Sequence, residues 1–211
     1  MEYAKDSKER VPYEHYMTLF QEANPVDISN RTQIPYDEET NSFTITLMNS
    51  VYHITWPDFI VTHEEDDKGY YPLEDMHAAR ILMMRYLLEG SKVPSYGKFY
   101  TYRELPWGDV YQKQFQGRCI MRLAFGFGYK LNKFSEALEK LGAKKLTDGD
   151  CSYELEFLDG MYVRYILWEP DDEFPPSSQI LFSDNFTAAS FTAEDLAVIG
   201  DITIGTFKKL V

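Results

Sequence analysis

Residues Leu73 to Glu89 limit what this chain can fold into more than any other stretch. Met76, Ala79, Met83, Tyr86 and Leu87 recur at helical spacing, with Pro72 near the start and Gly90 after the end. Ile81, Leu82, Met84 and Leu88 extend the apolar surface most of the way around. A helix apolar over most of its circumference belongs in an interior. The remaining segments therefore have to wrap it. Arg80 interrupts that surface and must find a partner if buried, since an unpaired buried charge is very costly.

The wrapping material reads as strands with short helices. Phe43-Thr44-Ile45-Thr46-Leu47 alternates with period two, Asn49-Ser50 offers a turn, and Val51 to Trp56 returns. Pro57 ends that strand, Phe59-Ile60-Val61 is a further short strand, and Glu64 to Asp67 is an acidic loop. A second hairpin pairs Tyr153–Phe157 with Met161–Trp168 across Asp159-Gly160. Gln179 to Phe182 follows as one more strand. The hairpins at 43–57 and 153–170 correspond loosely, matching Tyr52 with Tyr162 and Trp56 with Trp168, which suggests a weak internal duplication.

Helices are expected at Tyr13–Ala23, stopped by Asn24-Pro25, and from Gly108-Asp109 through Phe125, with Tyr111, Phe115, Cys119 and Leu123 as its buried row. Lys133–Leu141 is another, ended by Gly142, and Thr192 with Asp195 opens a last helix that kinks near Gly200. Asp27 to Asn41 reads as connector and Lys98 to Glu104 as a short strand. Strands and helices mix without a regular βαβ alternation, and no linker divides the chain. The expected architecture is a single α+β domain over 1–211, with antiparallel hairpins packed around a central apolar helix.

Net charge is −13, which argues against a duplex nucleic acid or an anionic membrane surface as partner. Met1 to Met17 has no apolar core of a secretory signal, and no run approaches the length of a membrane span. Cys119 and Cys151 show no disulfide spacing and are expected as free thiols, which together point to the cytoplasm.

Chemistry-bearing residues concentrate in two segments. Trp168-Glu169-Pro170-Asp171-Asp172-Glu173-Phe174-Pro175-Pro176, with Asp184 beyond the next strand, gathers carboxylates on a proline-bracketed loop. Oxygen ligands of this kind suit a hard cation, although the spacing is not that of an EF-hand; the plainer alternative is a solvated loop whose acids cap backbone groups. Arg118 and Arg122, four apart on the predicted helix, project from one side and can hold a carboxylate or phosphate, or else pair with the protein's own acids. His15, His53, His63 and His77 are dispersed, and no nucleophile elbow, Walker loop or dinucleotide fingerprint is present.

Three further stretches carry a resemblance. Tyr52-His53-Ile54-Thr55-Trp56-Pro57, Arg103-Glu104-Leu105-Pro106-Trp107-Gly108, and Asp171-Asp172-Glu173-Phe174-Pro175 followed by Ile180-Leu181-Phe182-Ser183-Asp184 resemble a family of uncharacterised bacterial and archaeal proteins classed as a domain of unknown function. The resemblance implies that some relatives carry an N-terminal iron–sulfur module; this chain has no cysteine before Cys119, so that module and its cofactor are not expected here. It also favours the Arg103–Gly108 and Asp171–Asp184 segments, so that Arg103, Trp107, Asp171, Asp172, Glu173 and Asp184 join Trp168, Arg118 and Arg122 as candidate ligand-binding positions. No reaction or cofactor follows from it. The leading expectation is a non-catalytic domain that holds a small molecule or cofactor. The alternatives are a protein-interaction module, or a metal-dependent enzyme using the carboxylates of the 171–184 segment.

Overall fold

The computed structural model describes residues 3–211, with side chains from residue 12 onward; the charged start of the Met1–Met17 segment lies in part outside the described residues. Helix α1 (Tyr3–Glu22) begins well before the expected Tyr13 and passes through Pro12. The segment expected as connector forms helix α2 (Pro25–Thr32). Asn24-Pro25 was legible as a stop, and it is equally a start: the Asn24 side chain accepts from Val26 N–H at 2.9 Å, and proline is tolerated at the first helical position. Arg31 of α2 donates to the carbonyls of Leu87, Leu88 and Gly90, capping the end of α4 (His77–Glu89).

The expected single helix over 73–89 is two. A short α3 (Pro72–Asp75) precedes α4, and Met76 between them is extended. Arg80 lies half-buried and donates its Nε–H to the Leu73 carbonyl at 2.9 Å, so the charge is not abandoned at that break. Ala79, Leu82, Met83, Met84, Tyr86 and Leu87 are all buried, and α4 packs between α1 and the last helix, α8 (Ala193–Lys209). The α+β architecture is thus as expected, with the apolar helix inside.

One antiparallel sheet faces those helices. Strands β2 (Ser42–Leu47), β3 (Ser50–Thr55) and β4 (Val61–His63) form one meander, and β7 (Cys151–Leu158), β8 (Met161–Trp168) and β9 (Ser177–Ser183) another. The order is β4-β3-β2-β7-β8-β9-β5, with β5 (Phe99–Thr101) on the edge. Strands β1 (Tyr36–Asp37) and β6 (Lys144–Lys145) lie beside β2 and β7. Phe43, Ile45, Tyr52, Ile54, Tyr153, Leu155, Val163 and Tyr165 point into the core, while Thr44, His53, Glu154 and Arg164 alternate onto the other face.

The meanders meet at a narrow seam. Only Leu47 and Leu158 pair across it, supported by Met48 N–H donating to the Phe157 carbonyl at 3.0 Å. Each leucine is the last strand residue before its hairpin turn, Met48-Asn49 in one and Asp159-Gly160 in the other. Both residues of the first turn have positive φ (47° and 61°), so the turn falls one residue earlier than Asn49-Ser50 suggested. Anchored on the turns, Tyr52 corresponds to Val163 and Trp56 to Leu167, not to Tyr162 and Trp168. The fully buried Tyr52 and the half-buried Tyr162 face opposite sides of the sheet.

Other boundaries moved for local reasons. Phe59 takes φ 51°, so the strand expected over 59–61 starts only at Val61. Residues Tyr102–Glu104 leave β5 as a 3₁₀ turn, closed by a capping box between Thr101 and Glu104. Helix α7 (Leu131–Lys140) stands where Lys133–Leu141 was expected, with Gly142 at φ 67° after it, and α8 opens on the expected Thr192–Asp195 box but runs unbroken past Gly200. That glycine marks a close approach rather than a kink, since a Cβ there would lie 2.5 Å from Cys119 Sγ. Among the described residues, no helix is long and apolar enough to cross a membrane.

Two outcomes are expected from these contacts. Gly200→Ala overpacks the α8 contact with Cys119 and lowers stability by about 1–3 kcal/mol in urea unfolding, while adding Cys119→Ala recovers most of that loss. In the acidic loop, burial alone raises the Asp66 carboxyl pKa, but hydrogen bonds from the Lys68 side chain and N–H, Tyr71 and Ser50 outweigh it and hold that pKa well below the usual range. A depressed folded-state pKa contributes stability above the unfolded carboxylate range and loses it as pH falls. Asp66→Asn should therefore lower the urea midpoint at pH 7, with a deficit that shrinks on acidification below about pH 4; an equal deficit at both ends would refute the assignment.

Candidate functional site

The segment 102–130 builds one side of the molecule. Gly108 sits where a Cβ would fall 1.8 Å from the Tyr102 carbonyl oxygen, so the chain can turn there only without a side chain. Trp107 before it takes φ 65°, a left-handed conformation unusual for a bulky residue, and its ring stands 74% exposed. Arg103 Nε–H donates to Asp109 Oδ1 at 2.8 Å, with both side chains exposed, which contributes little to stability.

From Gly108 the chain runs as α5 (Gly108–Phe115), a π turn (Gln116–Ile120) and α6 (Met121–Phe127). Phe115, Cys119 and Leu123 are its buried row, as expected; Tyr111, expected with them, is 45% exposed. A strict four-residue spacing drifts about 40° per step around a 3.6-residue helix, which carries Tyr111 out of the row. The wider π turn keeps Phe115, Cys119 and Leu123 aligned. The Cys119 thiol donates to the Ala197 carbonyl at 3.5 Å; burial, and then the nearby Asp201 carboxylate, push its pKa up to about 12. Arg118 and Arg122 both donate to Asp201 on α8, the latter at 2.8 Å. The carboxylate these arginines grip is therefore the protein's own.

A second apolar row faces away from the core. Val110 is 64% exposed, Met121 48%, Phe125 52% and Tyr129 62%. At the end of α6 the row reaches the proline-bracketed loop: a Cβ on Gly128 would lie 2.4 Å from Pro176 Cβ, which measures how closely the two pack. Phe174 on that loop is 65% exposed. Trp168, Asp150, Glu169, Asp171, Phe174 and Pro175 line an open depression of about 440 Å³. Tyr129, Pro170, Asp171, Asp172, Glu173 and Phe174 line a neighbouring one of about 500 Å³.

Four of the nine candidate residues thus come together, while Arg103 pairs with Asp109, Arg118 and Arg122 are held by Asp201, and Trp107 and Asp184 line neither depression. Trp168, Asp171, Asp172 and Glu173 share this corner. Asp171 Oδ1 accepts the N–H groups of Glu173 and Phe174 at 2.8 and 2.7 Å, so that carboxylate caps its own loop. Asp184 sits at the far end of the seven-residue strand β9, roughly 20 Å away at the rise of an extended chain. There it accepts from Ser95 Oγ at 2.6 Å and Tyr96 N–H at 3.1 Å. Asp184 therefore does not converge with Asp171, Asp172 and Glu173 on one cation. Among the described residues no group of three or more His, Cys, Asp or Glu is arranged to hold a metal ion.

Two buried cavities, one lined by Leu47, Met83, Tyr86, Leu158 and Ile202 and the other reaching Arg85 and Asp195, measure about 10 Å³ each, room for a water at most. Sequence reasoning missed Val110, Met121, Phe125 and Tyr129 as surface residues. The signal was present: Met121, Phe125 and Tyr129 recur every four residues on the side opposite Phe115, Cys119 and Leu123. One helix segment with two apolar rows needs a reason for the second.

With the geometry described, the comparison with known families gives one result. The model described as "Domain of unknown function (DUF3786)" matches residues 24–206, and the chain belongs to that family. No curated protein and no solved structure matches it.

Cys119 is fully buried, with its thiol pKa raised, so it should resist iodoacetamide in the native protein at pH 8 and react only after denaturation. Rapid modification under native conditions, read by intact-mass measurement, would contradict this packing.

Proposed function

We propose that the domain works as a protein-interaction module, using the face formed by α5, α6 and the 170–176 loop. One observation carries the reading. Trp107 before α5, Val110 and Tyr111 on α5, Met121 and Phe125 on α6, Tyr129 just after it and Phe174 on the adjoining loop are 45–74% exposed, and Tyr129 and Phe174 line one depression. A large aromatic side chain covers about 150–250 Å², so the five aromatic rings among them, at about half exposure or more, offer roughly 600 Å², with Val110 and Met121 in addition. Monomeric proteins rarely expose contiguous apolar patches beyond a few hundred Å² without using them. Tyrosine, tryptophan and methionine are also the side chains enriched at interface centres. The left-handed backbone at Trp107 supports the same reading, because strain that presents a bulky ring to solvent persists where the ring has a task.

A second reading keeps the small-molecule site of the sequence analysis, on the depression of about 440 Å³ between Trp168, Asp150 and Phe174. Its aromatic wall and carboxylates suit a cationic ligand, but the depression is open, whereas ligand sites enclose most of what they bind.

The test compares the full chain with Phe125→Asp and Tyr129→Asp in affinity capture with in-cell crosslinking. Both variants are expected to keep the wild-type circular dichroism and melting temperature within a few degrees, because the replaced rings lie outside the core. Crosslinks through the α5–α6 face should vanish in both. Unchanged crosslinking in both variants would end the interaction reading.

A further inference from the structure

We infer that the chain is built as two copies of one folding unit, related by a two-fold axis through the seam, and that the interaction face belongs to the second copy alone. The place given to the face rests on the interaction reading above; the duplication does not.

Element for element the two stretches agree. The first runs α1, α2, β1, β2, β3, β4 and ends on α3 with α4. The second runs α5 with the π turn and α6, then α7, β6, β7, β8, β9 and α8. In both, a two-residue strand pairs with the next strand, every neighbouring pair is antiparallel, and the hairpin closes in two residues. Residues 33–35 join helix to short strand in one unit, and residues 141–143 do so in the other. Each unit lays its first helix on its last: α1 packs against α4, and α5 with the π turn packs against α8.

Backbone conformation keeps the same step. Left-handed residues are uncommon, so a series of them in matching order is a demanding comparison. Gln33 (φ 59°) follows α2 as Gly142 (67°) follows α7. Asn41 (50°) precedes β2 as Gly149 (59°) precedes β7. Met48 and Asn49 turn the first hairpin as Asp159 (33°) and Gly160 (78°) turn the second. Gly69 (75°) stands three residues before Pro72 of α3, and Ser190 (83°) three before Ala193 of α8. Phe59 has no counterpart, and it lies in a connection that differs in length, 56–60 against 169–176. The side chains at these positions are mostly different, which is why the sequence shows the repeat so faintly.

The seam shows how the copies are related. Leu47 and Leu158, the last strand residues before equivalent turns, pair with each other in an antiparallel contact, and α4 meets α8. A two-fold axis brings equivalent surfaces together in this way. Outward from the seam the strand order is the same in both directions, β2-β3-β4 and β7-β8-β9.

One difference between the copies bears on function. From residue 12 on, the exposed side chains of α1 are Glu14, His15, Thr18, Leu19, Gln21 and Glu22, one large apolar residue among six. In the matching place, the exposed side chains of α6 are Met121 and Phe125. The unit therefore folds without an apolar outer row, and the row is an addition to the second copy.

The test uses the full chain with a protease site inserted beside the exposed Tyr96, between the units. After cleavage the two pieces are expected to stay together on a sizing column with the circular dichroism of the intact chain. They should recover both properties after unfolding in urea and dilution. A crystal structure of the cleaved complex should lay the elements of residues 25–55 on those of 131–168 by a rotation close to a half-turn, with the left-handed residues in step. Pieces that unfold on cleavage, or a rotation far from a half-turn, overturn the duplication. Met121→Glu with Phe125→Thr gives α6 the outward chemistry of α1. That variant should keep the melting temperature within a few degrees while crosslinks through the face vanish. A collapse of the melting temperature would make the row part of the fold and overturn its assignment as an addition. If crosslinking persists in a stable variant, the interaction reading falls with that assignment, and the duplication stands.

Discussion

The fold depends on how two three-stranded meanders are held edge to edge with almost no hydrogen bonding between them. A single residue pair, Leu47 with Leu158, and one further backbone bond cross the seam. A ladder that short cannot hold a sheet by itself. What holds it is side-chain packing from the helical layer: Ala79, Leu82 and Met83 of α4 and Ile202 of α8 close over Leu47, Phe157 and Leu158. That need explains why α4 is apolar on so many sides. It faces the seam below, α1 on one flank and α8 on the other, and its charged side chains are each held: Arg80 by the Leu73 carbonyl, and Arg85 by Glu89 and Asp195.

Electrostatics follow the same division of labour. Three arginine ion pairs tie other helical segments to α8, where Asp195 takes Arg85 of α4 and Asp201 takes Arg118 and Arg122. Asp195 is almost wholly buried and also completes the helix's own capping box, so one carboxylate satisfies a helix end and a guanidinium from the neighbouring helix. Asp201 is more accessible, and its arginines are correspondingly less costly to leave. In an acidic chain with few cations to spare, placing them against α8 fixes that helix to both halves of the core.

Much of this was legible in the sequence because local rules and tertiary packing agreed. The hairpin at Asp159-Gly160, the box at Thr192 and the helix ended by Gly142 all appear where period, turn chemistry and caps pointed. Reading failed where one residue served two elements or where tertiary contacts set the meaning. Asn24-Pro25 ends one helix and begins another, and only the first role shows in a one-directional reading. Gly200 looked like a helix breaker, yet its lack of a side chain answers to Cys119, 81 positions away. The candidate site was half legible. The carboxylates and Trp168 do share a corner, but Asp184 is separated from them by the full length of a strand, and sequence proximity hides that distance. The outward row of α6 was overlooked because apolar spacing alone does not say which of two rows is covered.

The π turn at Gln116–Ile120 has a consequence for how this gene can vary. It holds one residue more than a regular helix of the same span, so losing any single codon there would relax the segment into ordinary α geometry and improve its local hydrogen bonding. Because the turn absorbs that residue, its loss leaves the helix beyond it in place: Leu123 and Phe127 keep to the core, and Met121 and Phe125 keep their outward positions. The same deletion in the regular α geometry of α5 or α6 would rotate everything beyond it by about 100° and carry the buried row out of the core. Length along this segment should therefore be free to drop by one residue within the π turn and hardly anywhere else.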